Sequence, residues 1–182
     1  WSDVIYRTGF SHSHNASVSG ASDATSYYFS VGYTEQEGIV KKNDFNRKTV
    51  RFNGDHKANN WLSLGVNLSY ANELNTAAIN SGSLPGSAFA SAGVGRLALS
   101  LPPNVGIYNA DGSYNLNGNA IGRMNNTENI TFWNPQPMLD HNYSNTENNR
   151  ILGNVYAQVK PIKDVTIRTS YGVDYLNSDN KN

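Results

Sequence analysis

Apolar and polar residues alternate with a period of two in six separate stretches, and helical periodicity is weak almost everywhere. One stretch sets Tyr27, Phe29, Val31 and Tyr33 against Tyr28, Ser30, Gly32 and Thr34. Another sets Leu62, Leu64, Val66, Leu68 and Tyr70 against Ser63, Gly65, Asn67 and Ser69. In Thr49–Lys57, Val50 and Phe52 oppose Arg51, Asn53 and Asp55. Ile151, Val155, Ala157 and Val159 oppose Asn154, Tyr156, Gln158 and Lys160, and Val165, Ile167, Tyr171, Val173 and Tyr175 oppose Thr166, Arg168, Ser170 and Asp174. The first stretch, about His12–Gly20, rests on Ala16 and Val18. Strands of roughly 9–14 residues exceed the usual 5–6 of soluble sheets and meet the 9–11 that a tilted membrane-spanning strand needs. Ten residues rising about 3.3 Å each and tilted about 40° reach roughly 25 Å, the height of an outer-membrane barrel's apolar band.

The connections sort by length. Ala21–Thr25, Ala58–Asn60 and Pro161–Ile162 are short; Glu37–Asp44 is longer, and Asn75–Asn148 holds 74 residues (148 − 75 + 1). Short and long therefore alternate along the chain. An up-and-down barrel produces this parity because its short turns share the periplasmic side and its long loops the outer side. The sequence thus predicts an all-β fold: six antiparallel strands of a transmembrane up-and-down β-barrel. The expected layout is an approach segment at 1–11, four strands in 12–74, a long extracellular loop at 75–148, two strands in 149–176 and the start of a loop at 177–182. The chain opens on Trp1 and stops in the polar stretch Asn177–Asn182, so it is expected to be a section of a longer protein. A soluble or surface-attached, glycan-binding β-sandwich module is the alternative that would also alternate faces.

Composition narrows the function. Fourteen basic and 14 acidic side chains balance, without a basic run, so nucleic acid is not an expected partner. The 182 residues contain no cysteine, which excludes disulfides and thiolate metal sites. No stretch approaches the roughly 18 consecutive apolar residues of a membrane-spanning helix. Charged residues make up 15 % of the chain and tyrosines number 11, a balance suited to β-rich surface proteins. Trp61, Tyr70, Tyr171 and Tyr175 sit where interfacial aromatic girdles belong.

Candidate chemistry is sparse. His12 and His14 share a strand face, as a metal pair would, but no third ligand follows in the pattern. Asp111, Asp140 and Glu147 fall in loops whose turn chemistry accounts for them, so neither catalysis nor a cofactor is expected. The 75–148 insert reads as loop chemistry throughout. It contains Pro102-Pro103, a hairpin signal at Asp111-Gly112 between Tyr108 and Tyr114, and Trp133-Asn134-Pro135-Gln136-Pro137. Its aromatics and amides, Tyr108, Phe132, Trp133, Asn134 and Gln136, have the chemistry that stacks on sugars or lines a polar ligand site.

Several segments resemble one family. They are Trp1–Phe10, His14–Gly20, Ser26–Tyr33, Gln36–Val40, Asp44–Arg47, Arg51–Asn53, Trp61–Asn67, Tyr108–Tyr114, Asn134-Pro135, Arg150–Asn154 and Tyr171–Tyr175. In this order they resemble the SusC/RagA family of TonB-dependent outer-membrane transporters and cover most of the chain outside the insert. The resemblance implies a barrel of about 22 strands with a plug in its lumen. It also implies a box that contacts TonB through a part not present here, and a SusD-like surface lipoprotein as lid. The family imports glycans, and in some members peptides, in Bacteroidetes. The six strands would be an early part of such a barrel, with Arg51, Asp55 and Arg168 facing the lumen to pair with the plug or each other.

Overall fold

The structure is a computed structural model that describes residues 1–77, 94–116, 120–121, 126–127, 134–141 and 144–181. Four strands follow the N-terminal segment: β1 (Ser11–Ala21), β2 (Thr25–Glu37), β3 (Asp44–Lys57) and β4 (Leu62–Ala77). The two-residue strands β5 (Ala120–Ile121) and β6 (Asn126–Thr127) pair with each other inside the insert, and β7 (Ser144–Ile162) and β8 (Val165–Lys181) complete the chain. The main sheet has six strands in the order β1-β2-β3-β4-β7-β8, each antiparallel to its neighbour. Among the described residues no second sheet packs against it, so the sandwich alternative has nothing to supply its core.

The pairing register aligns the alternation across all six strands. One row reads Val18, Phe29, Phe52, Leu68, Gly153 and Val173; the next reads Ala16, Val31, Val50, Tyr70, Ile151 and Tyr175. A third, toward the short turns, reads Gly20, Tyr27, Gly54, Val66, Val155 and Tyr171. These rows form an apolar belt on one face, and period-two geometry sends their neighbours, such as Ser19, Asn53, Asn67 and Asn154, to the other. The belt stops before the strands do. The next row toward the long insert is His14, Tyr33, Lys48, Asn72, Asn149 and Asn177. There Asn149 Oδ1 accepts hydrogen bonds from Tyr70 Oη and Asn72 Nδ2, each at 2.8 Å.

The short turns step down across the sheet. Against the row Ala21, Ser26, Asp55, Gly65, Tyr156, Ser170, β1 ends at Ala21, β3 two residues beyond Asp55 at Lys57, and β7 six beyond Tyr156 at Ile162. This stagger is what tilted barrel strands require.

The turn expected at Pro161–Ile162 lies instead at Lys163–Asp164, between the paired residues Ile162 and Val165. Asp164 adopts φ 66, and the register slips by one residue between Val159 and Ile162. Pro161 has no N–H to give the ladder, and a bulge is where a strand tolerates that loss.

The buried core lies outside the sheet. Helices α1 (Ser2–Ile5), α2 (Val94–Ser100) and α3 (Gln136–His141) bring Ile5, Ala98 and Leu139 together, with Val4, Tyr6 and Val40 against them. Leu97, Leu101 and Val105 are buried beside them in the chain. Trp1 Nε1 donates to the Pro102 carbonyl at 3.1 Å, and Lys41 N to the Ile5 carbonyl at 2.9 Å. The N-terminal segment, the β2–β3 loop and the insert are thus lashed into one cap. This corrects the reading of the insert as loop throughout: α2 and α3 have 7 and 6 residues, too few for a helical period to register.

Candidate functional site

The described part of the cap contains a hairpin. Tyr108 and Tyr114 bridge across it, with Asn109 N donating to the Ser113 carbonyl at 2.8 Å. Gly112 takes φ 85, the left-handed conformation that an Asp-Gly turn supplies without strain. Asp111 Oδ1 accepts from Ser113 N at 2.9 Å and Ser113 Oγ at 2.6 Å, and these bonds lower the Asp111 carboxyl below its ordinary pKa. The turn sets the two tyrosine rings in a stack, centroids 5.3 Å apart and planes 29° apart.

Two buried amides hold this hairpin from behind. Asn115 Nδ2 donates to the Gly106 carbonyl at 3.0 Å, and Asn134 Nδ2 to the Ile107 carbonyl at 2.8 Å. Asn134 Oδ1 also accepts from Gln136 N at 2.9 Å, an Asx turn leading into α3. One helical turn on, Gln136 Nε2 donates to both oxygens of Asp140, at 3.0 and 2.9 Å. Tyr114 Oη donates to Asp140 Oδ2 at 2.9 Å, and the His141 ring meets Tyr114 edge-on at 5.8 Å. Gln136's hydrogen bonds, then Tyr114's, lower the Asp140 carboxyl below its usual pKa, and the same bond raises the Tyr114 phenol above its own.

The result is a platform with an aromatic face and a carboxylate rim. Tyr108 leaves 53 % of its surface open to solvent, enough to receive a flat ligand ring. Of the residues singled out from sequence, Tyr108 is the open face and Gln136 orients Asp140. Asn134 is only 2 % exposed, and its amide is committed to the scaffold. Phe132 and Trp133 lie outside the described residues. Tyr114, Asp140 and His141 belong to the platform although the sequence reading gave them no ligand role. The Gln136–Asp140 spacing of four would have pointed to them only if α3 had been recognised as a helix.

Elsewhere, His12 and His14 stand with ring centroids 5.2 Å apart, His12 also meeting Tyr33 at 5.9 Å. Among the described residues no group of three His, Cys, Asp or Glu side chains is placed to hold a metal. On the polar face, Asp55 and Arg168 meet through a third residue. Tyr156 donates its hydroxyl to Asp55, while the Arg168 guanidinium lies 3.7 Å from its ring centroid. Gly65 makes this possible, because a Cβ there would collide with the Tyr156 ring.

Long antiparallel neighbours in chain order, an unshielded apolar belt on one face and staggered turns define a wall section of an up-and-down barrel of the outer-membrane type. No family model matches the chain. TonB-dependent receptor P26 of Formosa agariphila is 30 % identical over 180 residues, an alignment covering 98 % of this chain and 16 % of that protein. TonB-dependent receptor SusC of Bacteroides thetaiotaomicron is 26 % identical over 195 residues, covering 96 % of this chain and 18 % of SusC. The structure of the RagAB peptide importer in its closed-closed state matches with a TM-score of 0.65 at 26 % identity, over 97 % of this chain and 18 % of that one. The chain is a fragment of a TonB-dependent receptor of the SusC/RagA type, spanning 16–18 % of the length of these relatives.

Proposed function

We propose that the whole protein imports oligosaccharides or peptides across the outer membrane, performing no chemistry on them, together with a SusD-like surface lipoprotein and driven through TonB. The observation that carries this reading is the match, over nearly the whole chain, to TonB-dependent receptors including SusC and to the RagAB peptide importer. The exposed apolar belt supports it. Leu64, Val66, Leu68, Val155 and Ile167 then face outer-membrane lipid, while Ser63, Asn67, Asn154 and Arg168 face the lumen. The 75–148 insert and the β2–β3 loop lie outside the cell, and the short turns lie in the periplasm. Tyr108 with Tyr114, Asp140 and Gln136 forms part of the ligand mouth, and Phe132 and Trp133 are further proposed ligand contacts.

Aromatic stacking adds about 0.5–1.5 kcal/mol beyond buried area, so Tyr108→Ala or Trp133→Ala should weaken ligand capture about tenfold at most. Barrel assembly should not change: Tyr108 lies in the cap hairpin, outside the six-stranded sheet. The measurement is uptake of the cognate nutrient by cells with wild-type protein, each variant, or a deletion of the gene. Deletion that leaves uptake of every glycan and peptide tested intact overturns the transport reading. Variants that take up nutrient like wild type leave transport standing and remove these contacts.

A further inference from the structure

Arginine keeps to one face of the sheet. In the pairing register, the strand arginines Arg47, Arg51, Arg150 and Arg168 all take polar-face positions. On the belt face, the basic side chain nearest the belt is Lys48. It stands in the first row beyond the belt toward the insert, between Tyr33 on β2 and Asn72 on β4. The belt's other edge differs. There the next row runs Thr25, His56, Leu64, Ala157 and Thr169, without Lys or Arg.

The bonds around Lys48 leave it without a carboxylate. Tyr33 Oη donates to Glu35 Oε2 at 2.7 Å and accepts from Asn46 Nδ2 at 2.8 Å. His12 Nε2 lies 3.7 Å from the same Glu35 oxygen. On the other side, Asn72 Nδ2 donates to Glu147 Oε1 at 2.7 Å, and Arg7 holds Asp44. Lys48 itself makes no hydrogen bond or ion pair with another described residue. His14 stands across Tyr33 from it, two strand spacings or about 10 Å away, and its imidazole has no hydrogen-bond partner among the described residues. Lys48 is exposed, and β2 and β4 flank β3 on both sides, so no further strand lies beside it.

We propose that Lys48, with the His14 imidazole, binds the phosphate of a glycolipid headgroup in the outer leaflet of the membrane. The inference rests on the reading above that the belt meets lipid and the insert lies outside the cell. A lysine at the edge of an apolar belt lays its stem along that surface and lifts its ammonium to the headgroups. Phosphate is the anion found at that level, and its bond to an ammonium is charge-assisted. The imidazole N–H supplies a second donor. One row further up stand Glu35, Glu147 and Asp179, whose charge repels anions. A phosphate is therefore welcomed at the height of Lys48 and not above it. The missing cation at the belt's other edge assigns the site to one leaflet.

The test uses the full-length protein, extracted from outer membranes, stripped of lipid and read by native mass spectrometry. The probes are lipid A carrying its phosphates, the same lipid after phosphatase treatment, and inorganic phosphate. Lys48→Gln should bind phosphorylated lipid A about fivefold more weakly than wild type, one lysine's share of attraction to an anionic lipid surface. Lys48→Arg, which keeps the charge, should stay within about twofold of wild type on the same principle. Equal binding by wild type and Lys48→Gln overturns the site, as does equal binding of the dephosphorylated lipid. Inorganic phosphate that displaces the lipid at equal concentration overturns the assignment to a lipid. Heat-modifiable migration checks assembly. If Lys48→Gln does not assemble, His14→Ala takes its place with the same expected direction. A benzophenone on Asn46→Cys in native membranes tests the underlying reading separately. It should label lipid A; labelling of phospholipid alone overturns the placement of the insert outside the cell, and labelling of no lipid overturns the assignment of the belt face.

Discussion

In the cap, Ile5 and Leu97 are wholly shielded from water, whereas in the sheet Leu68 is 46 % exposed and Tyr171 70 %. Both regions use ordinary apolar residues, yet only the smaller one buries them against its own chain. The cap is therefore held by the hydrophobic effect in its usual form, removal of apolar surface from water. The sheet is held by its ladder of backbone bonds, and its apolar belt awaits a different solvent. An exposed apolar surface of this extent on a lone soluble domain would be a liability. In a bilayer it is the condition for insertion. One sequence thus carries two inverted rules for where apolar residues go, and the boundary between them is the polar row at His14 and Asn72.

The contrast breaks most sharply in the cap. Leu97→Ala leaves a cavity in a fully buried site, and such changes cost about 2–5 kcal/mol. Hydrogen exchange should then show α1 and α2 losing protection while β4 and β7 keep theirs. Loss of protection in the strands as well would mean that cap and sheet are one cooperative unit. In the sheet, Val66→Arg places a charge on the belt and should cost about 2–4 kcal/mol near the midplane. Asn67→Arg, one residue along and on the opposite face, should cost much less. A refolding titration into bilayers that finds the two equally tolerated would invert or abolish the assignment of faces.

The smallest effect is a pH dependence confined to the platform. Asp140 is lowered below its ordinary value by Gln136 and Tyr114, so its ionised form is the one the folded platform favours. That contribution is complete above the unfolded carboxyl's pKa and is lost as pH falls through the lower, folded value. Acid titration followed on the Tyr114 ring by NMR should therefore loosen the stack without disturbing the strands. A platform unchanged down to pH values where every carboxyl is protonated would show that the stack, not the carboxylate, holds it.

The strands were legible because alternation repeats over bilayer-length runs, long enough to outweigh any single residue. The Tyr108–Tyr114 hairpin was legible because Asp111-Gly112 carries its turn in the residues themselves. The last short turn was misplaced because Pro161 reads as a turn residue when the bulge that accommodates it is invisible. The cap escaped because its helices are short and its partners, Ile5, Ala98 and Leu139, are far apart in the chain. The Tyr156–Asp55 bond joins residues 101 apart, and only the register of β3, β4 and β7 brings them onto adjoining positions. Local chemistry can be read along a chain; cross-strand chemistry needs the pairing first.

The strands' overrun past the belt sets a distance. From Tyr70 at the belt's edge β4 continues to Ala77, and β7 and β8 remain paired alongside it. Seven residues at about 3.3 Å, tilted about 40°, raise the strand ends roughly 18 Å above the hydrocarbon. The N-terminal part of the cap is tied to the β2–β3 loop through the Tyr6–Val40 bridge and the bond from Arg7 N to the Ile39 carbonyl. If Tyr108 takes ligand as proposed, that height holds the ligand clear of the lipid headgroups.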